Sequence, residues 1–526
     1  MRTALTQALC ALVVVSIIRL SIELLSRLEL RRQTQRWQQP RKPTNPLLHL
    51  VKLEASGVLE ESAAALPQLP PPLPTRRLSP PTSLRSQQQP SVAPPAIELL
   101  TDVEPPRTRA FPVLLLTATR GEMLNRTLRS LLAVRGLNAS EVFVVQDGTD
   151  ESVARVVRWN GLRLVQHETS RPAATASSRG GSVQERGQAV ARAYKWALRH
   201  AFDVLTTDEA VIIVEDDLYF SPDLMEYFLA GWSVQRADPT LWCTSAWNDN
   251  GFGGLAREPK RVMRTGFFPG LGWLLSRALW KDELEPNWPR EHWDHWMRSE
   301  TKFKTSRGRE CLIPQVPRTY HHGDTGTFMI AQTHEKYFSR IAHNIDPDVG
   351  WPAAELRGLR RSLSSAGYEA ELRERLRRAA PLRSLAQLQP AASAGTAGAP
   401  SPLALWYSQA PRAPSPPARL FSDLAKLLGI WHEMRRGSHF GVHELWCNGR
   451  QLMLVNLKVG PHAEASPYTD LAPPADAVFT ESSFGRALDR LPAGLKRPVC
   501  TAAPALREAA SSRHDTDTST PVDGSY

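Results

Sequence analysis

Three consecutive carboxylates follow an unbroken run of branched apolar residues. The run at 211–214 reads Val-Ile-Ile-Val, and Glu215, Asp216 and Asp217 come directly after it. Such a run is typical of a strand buried on both faces of a parallel sheet. Acids this close repel each other unless a cation lies among them, and hard oxygen ligands suit Mg²⁺ or Mn²⁺ held by one or two carboxylates plus substrate phosphates. The residue types therefore favour a divalent-cation site over a solvated acidic turn.

The residues around these acids predict where the site lies. Ser221, Pro222 and Asp223 have the types expected of a helix N-cap and first turn, so the acids occupy a strand-to-helix turn. Open α/β sheets bind ligands at the carboxyl ends of their strands. We therefore expect the site at that edge of a sheet.

Strand and helix signals alternate from residue 112 onward. Further strands are predicted at 113–119, 142–148 and 162–165, and helices at about 120–133 and 185–203. The alternation predicts βαβ units, an α/β class and a mostly parallel, doubly wound sheet. Asp147, at the end of the second strand, would then lie along the same edge as Asp217.

Several function classes are disfavoured by the composition. No Gly-x-Gly-x-x-Gly follows the first strand and no P-loop occurs in the 526 residues, which argues against glycine-rich dinucleotide and ATP folds. The net charge is +11, but much of the arginine lies at about 19–42 and 356–383, and no basic patch has interleaved aromatic residues. We therefore expect no nucleic-acid partner.

The first hundred residues predict a protein held at a membrane. Residues 4–25 form an apolar segment interrupted by Arg19, which we interpret as an uncleaved signal anchor, with a cleaved signal peptide as the alternative. Residues 26–110 are rich in Pro, Gln, Ser and Leu, a composition that predicts an extended stem. The basic residues lie mostly after the segment, where the positive-inside rule opposes a lumenal stem. The orientation is therefore inferred from the downstream chemistry.

The rest of the chain divides by composition. We predict a catalytic domain at 111–350, a helical extension at 351–385, an Ala/Pro/Ser linker at 386–418, a C-terminal module of unknown role at 419–505 and a disordered tail at 506–526. A fragment of about residues 109–385 is therefore expected to fold by itself. In the module, strands are predicted near residues 446–447 and 452–455, and Cys447 and Cys500 are candidates to pair.

A series of motifs lies in a fixed order between residues 241 and 311. They read Leu-Trp-Cys-Thr-Ser-Ala-Trp-Asn-Asp-Asn-Gly (241–251), Phe-Phe-Pro-Gly-Leu-Gly-Trp-Leu-Leu (267–275), Glu-Leu-Glu-Pro-Asn-Trp-Pro (283–289), Trp-Asp-His-Trp-Met-Arg (293–298) and Arg-Gly-Arg-Glu-Cys (307–311). In this order and spacing they resemble the eukaryotic β-1,2-N-acetylglucosaminyltransferases. That family includes N-acetylglucosaminyltransferase I and the enzyme that extends O-linked mannose on protein. The likeness covers about residues 111–345.

The resemblance implies a fold, a donor and a cellular setting. It implies a GT-A fold, UDP-N-acetylglucosamine as donor, Mn²⁺ as cofactor and inversion at the anomeric carbon. It also implies a mannose-terminated glycoprotein acceptor and a single-pass type II protein of the Golgi membrane with a lumenal catalytic domain. Cys243 and Cys311 match a family disulfide, which favours an oxidising lumen.

The resemblance further assigns roles to the strand-end residues. Asp217 would bind the metal that bridges the donor's diphosphate, with Glu215 and Asp216 lining the sugar and ribose sides. Asp147 would contact uracil, and Arg120 matches a basic nucleotide-binding position. These residues together would hold the donor.

Asp294 matches the family's catalytic base. An inverting transfer needs a carboxylate to take the proton of the acceptor hydroxyl. The alternative is that Asp294, in an aromatic stretch, is a buried residue with only a hydrogen-bonding role.

Two departures from the family's pattern fall on positions that contact the donor. Ala193 stands where family members often carry a His that contacts uracil, so that contact is lost or supplied differently. A Ser that contacts the diphosphate has no clear counterpart, and Asp324, Thr325, Thr327 and Phe328 are the candidate positions.

Three functions remain open from the sequence. The first is transfer of N-acetylglucosamine in β-1,2 linkage to a terminal α-mannose of N-glycans, which the motifs at 245–251 and 265–269 favour. The second is the same transfer to O-linked mannose, which the motif at 308–311 favours. The third is an inactive glycan-binding protein, against which the presence of both Asp217 and Asp294 argues.

Overall fold

The computed structural model describes residues 109–168, 182–299, 304–389, 401–410, 419–460, 463–491 and 499–500. The predicted signal anchor (4–25), the stem up to residue 108 and the predicted tail (506–526) lie outside the described residues. Across the described ranges, no helix is both long enough and apolar enough to cross a membrane.

The four strands predicted in the catalytic region are present, with ends that differ by only a few residues. In chain order the strands are β1 Val113–Thr117, β2 Val142–Asp147, β3 Arg163–His167, β4 Ala210–Glu215, β5 Leu218–Phe220, β6 Leu241–Ser245, β7 Val262–Thr265, β8 Trp273–Ser276, β9 Glu310–Pro314, β10 Thr319–His321, β11 Ala380–Pro381, β12 Leu403–Tyr407, β13 Val442–Cys447, β14 Arg450–Asn456, β15 Lys458–Val459, β16 Glu464–Ala465 and β17 Val478–Phe479. The strands predicted near residues 446–447 and 452–455 are β13 and β14.

The predicted helices are also present. In chain order the helices are α1 Gly121–Leu132, α2 Glu151–Trp159, α3 Val183–His200, α4 Leu224–Gln235, α5 Arg277–Leu279, α6 Glu285–Asn287, α7 Trp293–Met297, α8 Ala331–Lys336, α9 Ala353–Leu363, α10 Ser365–Arg378, α11 Leu420–Leu428 and α12 Glu481–Asp489. The π-helical turns Ala201–Leu205 and Trp280–Leu284 continue α3 and α5. A capping box between Ser182 and Glu185 begins α3, because each side chain satisfies a backbone N–H that the first turn leaves open.

Eight strands form the main sheet, in the order β3-β2-β1-β4-β8-β6-β9-β7. The neighbours β3–β2, β2–β1, β1–β4 and β6–β9 run parallel, whereas β4–β8, β8–β6 and β9–β7 run antiparallel. The α/β prediction is therefore confirmed. The sheet is mixed because β8 enters between β4 and β6 in the opposite direction and β7, at the edge, runs opposite to β9. The carboxyl ends of β1 to β4 meet at one edge, which is the edge that carries the acids.

Apolar side chains build a core on each face of this sheet. On β1, Val113 packs in one cluster and the next residue, Leu114, in another, because successive side chains of a strand point to opposite faces. Leu128 of α1 and Phe228 of α4 cover the first face, and Ala197 of α3 covers the second. Burial on both faces accounts for the uninterrupted apolar run of β4.

The segment after the three acids differs from the prediction. It forms β5, antiparallel to β10, before α4 begins at Leu224. The N-cap position belongs to Asp223 rather than Ser221, and the Asp223 carboxylate makes no capping bond. It accepts hydrogen bonds from Arg318 Nε at 2.9 Å and Trp351 Nε1 at 2.9 Å. Both Arg318 and Asp223 are fully buried, and a buried charge is stable only when it is paired.

The C-terminal strands build a second sheet. Its order is β11-β12-β14-β13, and β17 also pairs with β12. β12 lies inside the range predicted to be a linker, and all of its residues are buried. Composition did not reveal this strand because it is only five residues long and the surrounding segments are rich in Ala, Pro and Ser.

This second sheet shares its apolar core with the rest of the described chain. Trp406 of β12 and Val455 of β14 belong to the same buried cluster as Val113 of β1. Leu405 of β12 belongs to a second cluster that contains Trp247, from the segment after β6. The apolar packing is therefore continuous across the predicted domain boundaries. That these boundaries separate different functions remains a prediction.

Ion pairs also connect the C-terminal sheet to the rest of the described chain. Glu444 of β13 accepts hydrogen bonds from Arg261 Nη2 at 3.0 Å and from the Tyr368 hydroxyl at 2.7 Å, and it also pairs with Arg375. Burial by itself would raise the pKa of Glu444, but Arg261 and Arg375 outweigh it and lower the pKa to about 2. Glu444 thus links the C-terminal sheet to the segment before β7 and to α10 through a buried carboxylate that pairs with two partly buried arginines.

Two disulfides are present in the described chain. Cys243 on β6 and Cys311 on β9 form the disulfide that the resemblance implied, with their Cα atoms 4.6 Å apart. Cys447 on β13 pairs with Cys500. The second bond ties residue 500 to the C-terminal sheet.

A chain that ends at residue 385 is expected to misfold, contrary to the expectation from composition. It would expose the apolar surface that β12 and β14 cover and would leave Arg261 without Glu444. Fragment 109–385 should aggregate or melt without cooperativity, whereas residues 109–526 should be soluble. The milder substitution Trp406→Ala should lower the free energy of unfolding of the longer chain by about 3–5 kcal/mol. A soluble 109–385 fragment with a cooperative thermal transition would contradict the shared core.

Candidate active site

The carboxyl edge of β1, β2 and β4 borders a cavity of about 820 Å³. Its wall contains all six residues to which the resemblance assigned donor, metal or catalytic roles: Arg120, Asp147, Glu215, Asp216, Asp217 and Asp294. The parallel strands bring the first five to one edge, and α7 supplies Asp294 from a distant part of the chain. A separate cavity of about 510 Å³, lined by Glu209 among others, contains none of the six.

One guanidinium connects two of the three consecutive acids. Arg120, which follows β1, donates to Asp216 and to Asp217 Oδ2, the latter at 2.8 Å. The Thr117 hydroxyl donates to Asp216 Oδ2 at 2.7 Å, and His321 Nε2 lies 3.5 Å from Asp217 Oδ2. These contacts stabilise two buried carboxylates that would otherwise repel each other at the end of one strand.

Glu215, the first acid, has a different partner. It accepts a hydrogen bond from the hydroxyl of Tyr194 on α3. The Tyr194 ring lies 4.3 Å from the ring of Trp293, the residue before Asp294. Burial, followed by the charge of Glu215, raises the pKa of the Tyr194 hydroxyl well above its ordinary value. Tyr194 therefore remains a hydrogen-bond donor and links the acid cluster to the segment that carries Asp294.

Burial and charge act differently on the three acids. Burial, and after it the charge of Asp217, raises the pKa of Glu215 to about 7. Burial also raises the pKa of Asp216 to about 6, although Arg120 opposes it. For Asp217, burial favours the neutral form, but His321 and Arg120 outweigh it, so the pKa lies below its ordinary value. Asp217 is therefore the acid of the three that holds its negative charge most firmly.

Asp217 also has an oxygen without a partner. Its Oδ1 is buried and accepts no hydrogen bond from any of the described residues, and such an oxygen is costly. Gly323 keeps the chain close to this carboxylate, since a Cβ at Gly323 would lie 2.9 Å from Asp217 Cβ. The residues therefore fit a hard cation at Oδ1. Within the described ranges no group of three or more His, Cys, Asp or Glu residues is placed to share one ion, so its other ligands would come from water or a bound molecule.

Asp294 lies in the first turn of α7. Arg298 Nη1, one turn along, donates to its Oδ2 at 2.9 Å. The Asp294 side chain is 37% exposed, which does not fit the buried hydrogen-bonding role considered as the alternative. Trp293 beside it is buried and stacks on Trp288, with ring centroids 5.7 Å apart. Asp294 is thus a carboxylate open to the cavity, oriented by Arg298 on a rigid aromatic base.

Asp147 ends β2 beside the last residue of β3, His167. The two side chains are 3.1 Å apart, from His167 Nδ1 to Asp147 Oδ1. Ala193, the position where the family often has a His, lines the same cavity, as do His167 and Trp196. Sequence reasoning missed His167, although its position at the end of a parallel strand was a usable signal.

The C-terminal region also contributes to the cavity wall. Trp431 and Arg436 line it together with Asp249. Arg436 Nη1 donates to Asp249 Oδ1 at 2.8 Å, and its guanidinium carbon lies 4.4 Å from the centroid of the Trp431 ring. Asp249 and Arg436 are 187 residues apart, and no sequence signal connected them.

The segment after β10 closes another side of the cavity. Thr325, Gly326, Thr327 and Phe328 line it. The Thr325 carbonyl accepts a hydrogen bond from Arg120 Nη1 at 3.4 Å. Of the candidate positions for the missing Ser, the two threonines and Phe328 therefore border the cavity.

The fold and the site define an α/β protein with an acidic ligand site at the carboxyl edge of its parallel strands. A model described as the GNT-I family matches residues 81–392. This chain belongs to the GNT-I family.

Individual relatives match more limited parts of the chain. A protein of Arabidopsis thaliana named alpha-1,3-mannosyl-glycoprotein 2-beta-N-acetylglucosaminyltransferase is 37% identical over 252 residues. The match covers 46% of this chain and 53% of that protein, so the chain spans about half the length of this curated relative.

Solved structures match more distantly. Mannosyltransferase PcManGT from Pyrobaculum calidifontis, in complex with GDP-Man and Mn²⁺, is 19% identical with a TM-score of 0.26, over 42% of this chain and 62% of that chain. GalNAc-T7 with UDP, GalNAc and Mn²⁺ is 11% identical with a TM-score of 0.26, over 40% and 43%.

The substitution Arg120→Met tests how far the acid pair depends on one guanidinium. It removes the charge shared by Asp216 and Asp217 and should destabilise the protein by up to about 3 kcal/mol near neutral pH. The loss should shrink on acidification, because protonation of the carboxylates removes their repulsion. Melting temperatures at about pH 8 and about pH 5 measure both effects.

A matched control lies on α1, the helix that begins just after Arg120. Arg126 is exposed and pairs with Glu122 one turn earlier, so Arg126→Met should change stability by less than about 0.5 kcal/mol. If Arg120→Met melts like the wild type at the higher pH, the acid pair does not depend on Arg120.

Proposed function

We propose that this protein is an inverting glycosyltransferase of the GT-A kind. It transfers N-acetylglucosamine from UDP-N-acetylglucosamine in β-1,2 linkage to a terminal α-mannose of N-glycans. The observation that carries the proposal is one cavity that contains both Asp217, with its unsatisfied buried oxygen, and the open carboxylate of Asp294. Membership of the GNT-I family and the name of the Arabidopsis relative support the donor and the acceptor.

The donor side is assigned to the strand-end residues. Asp217 would hold Mn²⁺ through Oδ1, and the bound ion would supply positive charge to the leaving diphosphate. A single protein carboxylate is sufficient when substrate phosphates complete the coordination. Arg120 would contact the diphosphate and Asp147 the uracil, while Glu215 and Asp216 would line the sugar and ribose sides.

The role of general base, which takes the proton of the acceptor hydroxyl, is assigned to Asp294. The acceptor hydroxyl oxygen forms a bond to the anomeric carbon on the face opposite UDP, and the bond from that carbon to the diphosphate oxygen breaks. The hydroxyl proton passes to Asp294, and UDP leaves with the bonding electron pair. Arg298 keeps the carboxylate turned toward the cavity through its bond to Oδ2. The stereochemistry inverts because attack and departure occur on opposite faces.

The acceptor side is assigned to the wall that the C-terminal region completes. Arg436 and Asp249 form a polar pair at this wall. The buried Trp431 ring supports it, since the ring lies against the Arg436 guanidinium on one face and stacks on Tyr337 with centroids 3.7 Å apart. A fixed pair of donor and acceptor groups suits the hydroxyls of a sugar. This assignment gives the predicted C-terminal module a role in the site.

A Golgi location is part of the proposal. Residues 4–25 would anchor the protein as a single-pass type II membrane protein with the catalytic region in the lumen. Both disulfides, Cys243–Cys311 and Cys447–Cys500, suit an oxidising compartment.

The function is tested by supplying UDP-N-acetylglucosamine and Mn²⁺ with either a five-mannose N-glycan or an O-mannosyl peptide. We expect transfer to the N-glycan, loss of transfer in EDTA, and loss of transfer with weaker UDP binding in Asp217→Asn, without a change in fold. Turnover of the O-mannosyl peptide alone would show that the acceptor is O-linked mannose rather than an N-glycan. Turnover of neither, by a protein that still binds the glycan, would favour an inactive glycan-binding protein. Full activity in EDTA would rule out the proposed role of Mn²⁺ in the transfer.

The substitution Asp294→Asn separates a catalytic from a structural role. Loss of the general base should lower kcat by on the order of 10²- to 10⁴-fold and leave UDP affinity and melting temperature close to wild type. Asp282→Asn, which removes an exposed carboxylate outside this cavity, is the control and should keep full activity. A wild-type kcat in Asp294→Asn would end the case for Asp294 in catalysis.

A further inference from the structure

Three side chains from three elements meet at one end of the cavity. Asp147 ends β2, His167 ends β3, and Trp196 lies on α3. His167 Nδ1 is 3.1 Å from Asp147 Oδ1, and the His167 ring stacks on Trp196 with centroids 4.5 Å apart and planes 16° apart. All three residues line the 820 Å³ cavity. We call them the base-end group.

The backbone fixes this arrangement. Asp147 and His167 are paired residues in the parallel register of β2 and β3, so their side chains leave the sheet side by side. The bond from Gly148 N to the His167 carbonyl, 3.0 Å long, continues the ladder beyond both residues. The Trp196 ring also stacks on the ring of His200, with centroids 4.8 Å apart. The His167 ring is thus held between a hydrogen bond and an aromatic face.

The neighbouring position on α3 makes room for a ligand. Ala193 precedes Trp196 by three residues and therefore lies on the same helical face, one turn away. Its side chain is a single methyl group, and it lines the cavity with the base-end group. The His167 and Asp147 side chains keep 16% and 11% of their surface exposed. The group thus faces a space rather than a closed core.

The chemistry of the group matches one kind of nucleobase. Uracil presents an N3–H donor, whereas cytosine has at N3 an acceptor without hydrogen. A carboxylate that is held in place accepts a hydrogen bond from the N3–H of uracil, whereas it repels the lone pair at N3 of cytosine. Discrimination of this kind is strong when a site's polar group is left without a partner by the wrong ligand. Orienting the carboxylate is therefore what selects the base.

We propose that His167 is a positioning residue that orients the Asp147 carboxylate toward the N3–H of a uracil base, with Trp196 holding the His167 ring in place. The inference rests on the proposed function, because it requires a uridine donor. It assigns the selection between uracil and cytosine to a residue of β3 and not to position 193, where Ala193 offers no polar group.

Two substitutions at one position separate the hydrogen bond from the stacking. His167→Phe keeps an aromatic ring against Trp196 and removes the donor to Asp147. His167→Asn removes the stacking ring and keeps an N–H able to reach the carboxylate. We expect His167→Phe to weaken UDP binding by on the order of tenfold, to raise the donor KM and to leave kcat at saturating donor unchanged. His167→Asn should keep UDP binding closer to wild type.

Calorimetric titration with UDP and with CDP, each with Mn²⁺, supplies the selective readout. The preference for UDP should fall in His167→Phe and be retained in His167→Asn, with melting temperatures recorded for both. Unchanged UDP and CDP affinities in His167→Phe would overturn the inference and leave the proposed function intact. Equal losses in both variants, together with lower melting temperatures, would reduce His167 to a packing role and also overturn it. A wild-type protein that binds no UDP would overturn the proposed function and this inference together.

Discussion

Two carboxylates buried side by side at the end of β4 are the constraint on which the site depends. Asp216 and Asp217 repel each other, and Arg120 provides the guanidinium that bonds both. Arg120 reaches them because β1 and β4 are adjacent and parallel, so the residues just beyond the two strands meet at one edge. Because the two strands are adjacent, the Thr117 hydroxyl can also donate a hydrogen bond to Asp216. The sheet order and the acid cluster therefore depend on each other.

The site is complete only when the whole described chain is folded. The C-terminal sheet shares its core with the main sheet, and Glu444 pairs with Arg261 and Arg375 across the contact. This packing brings Trp431 and Arg436 to the cavity wall. Loss of the C-terminal strands would therefore damage stability and the proposed acceptor wall through one physical cause, the exposure of a common core.

The three acids are equivalent in sequence but not in the structure. Glu215 bonds Tyr194, Asp216 is held by Thr117 and Arg120, and Asp217 keeps one buried oxygen without a partner. Burial raises the pKa of the first two, whereas nearby positive charge keeps the pKa of Asp217 low. A cation that meets this cluster would therefore favour Asp217. Because the protein offers no cage of three ligands within the described ranges, the proposed metal would be held largely by the donor's own phosphates.

The local pattern of the sequence determined strands β1 to β4, the α/β class and the acids at the carboxyl edge, because buried parallel strands require unbroken apolar runs and place the next residues at the edge of the sheet. The family resemblance added Asp294 and the pair Cys243–Cys311. Neither route revealed β12, the partners of Asp223, or the convergence of His167, Trp431 and Arg436 on the cavity. Those features depend on contacts between residues far apart in the chain, such as Asp249 and Arg436, which are separated by 187 positions in the sequence. Only the tertiary structure decided them, because burial and charge pairing act on distances in space, which local sequence patterns do not contain.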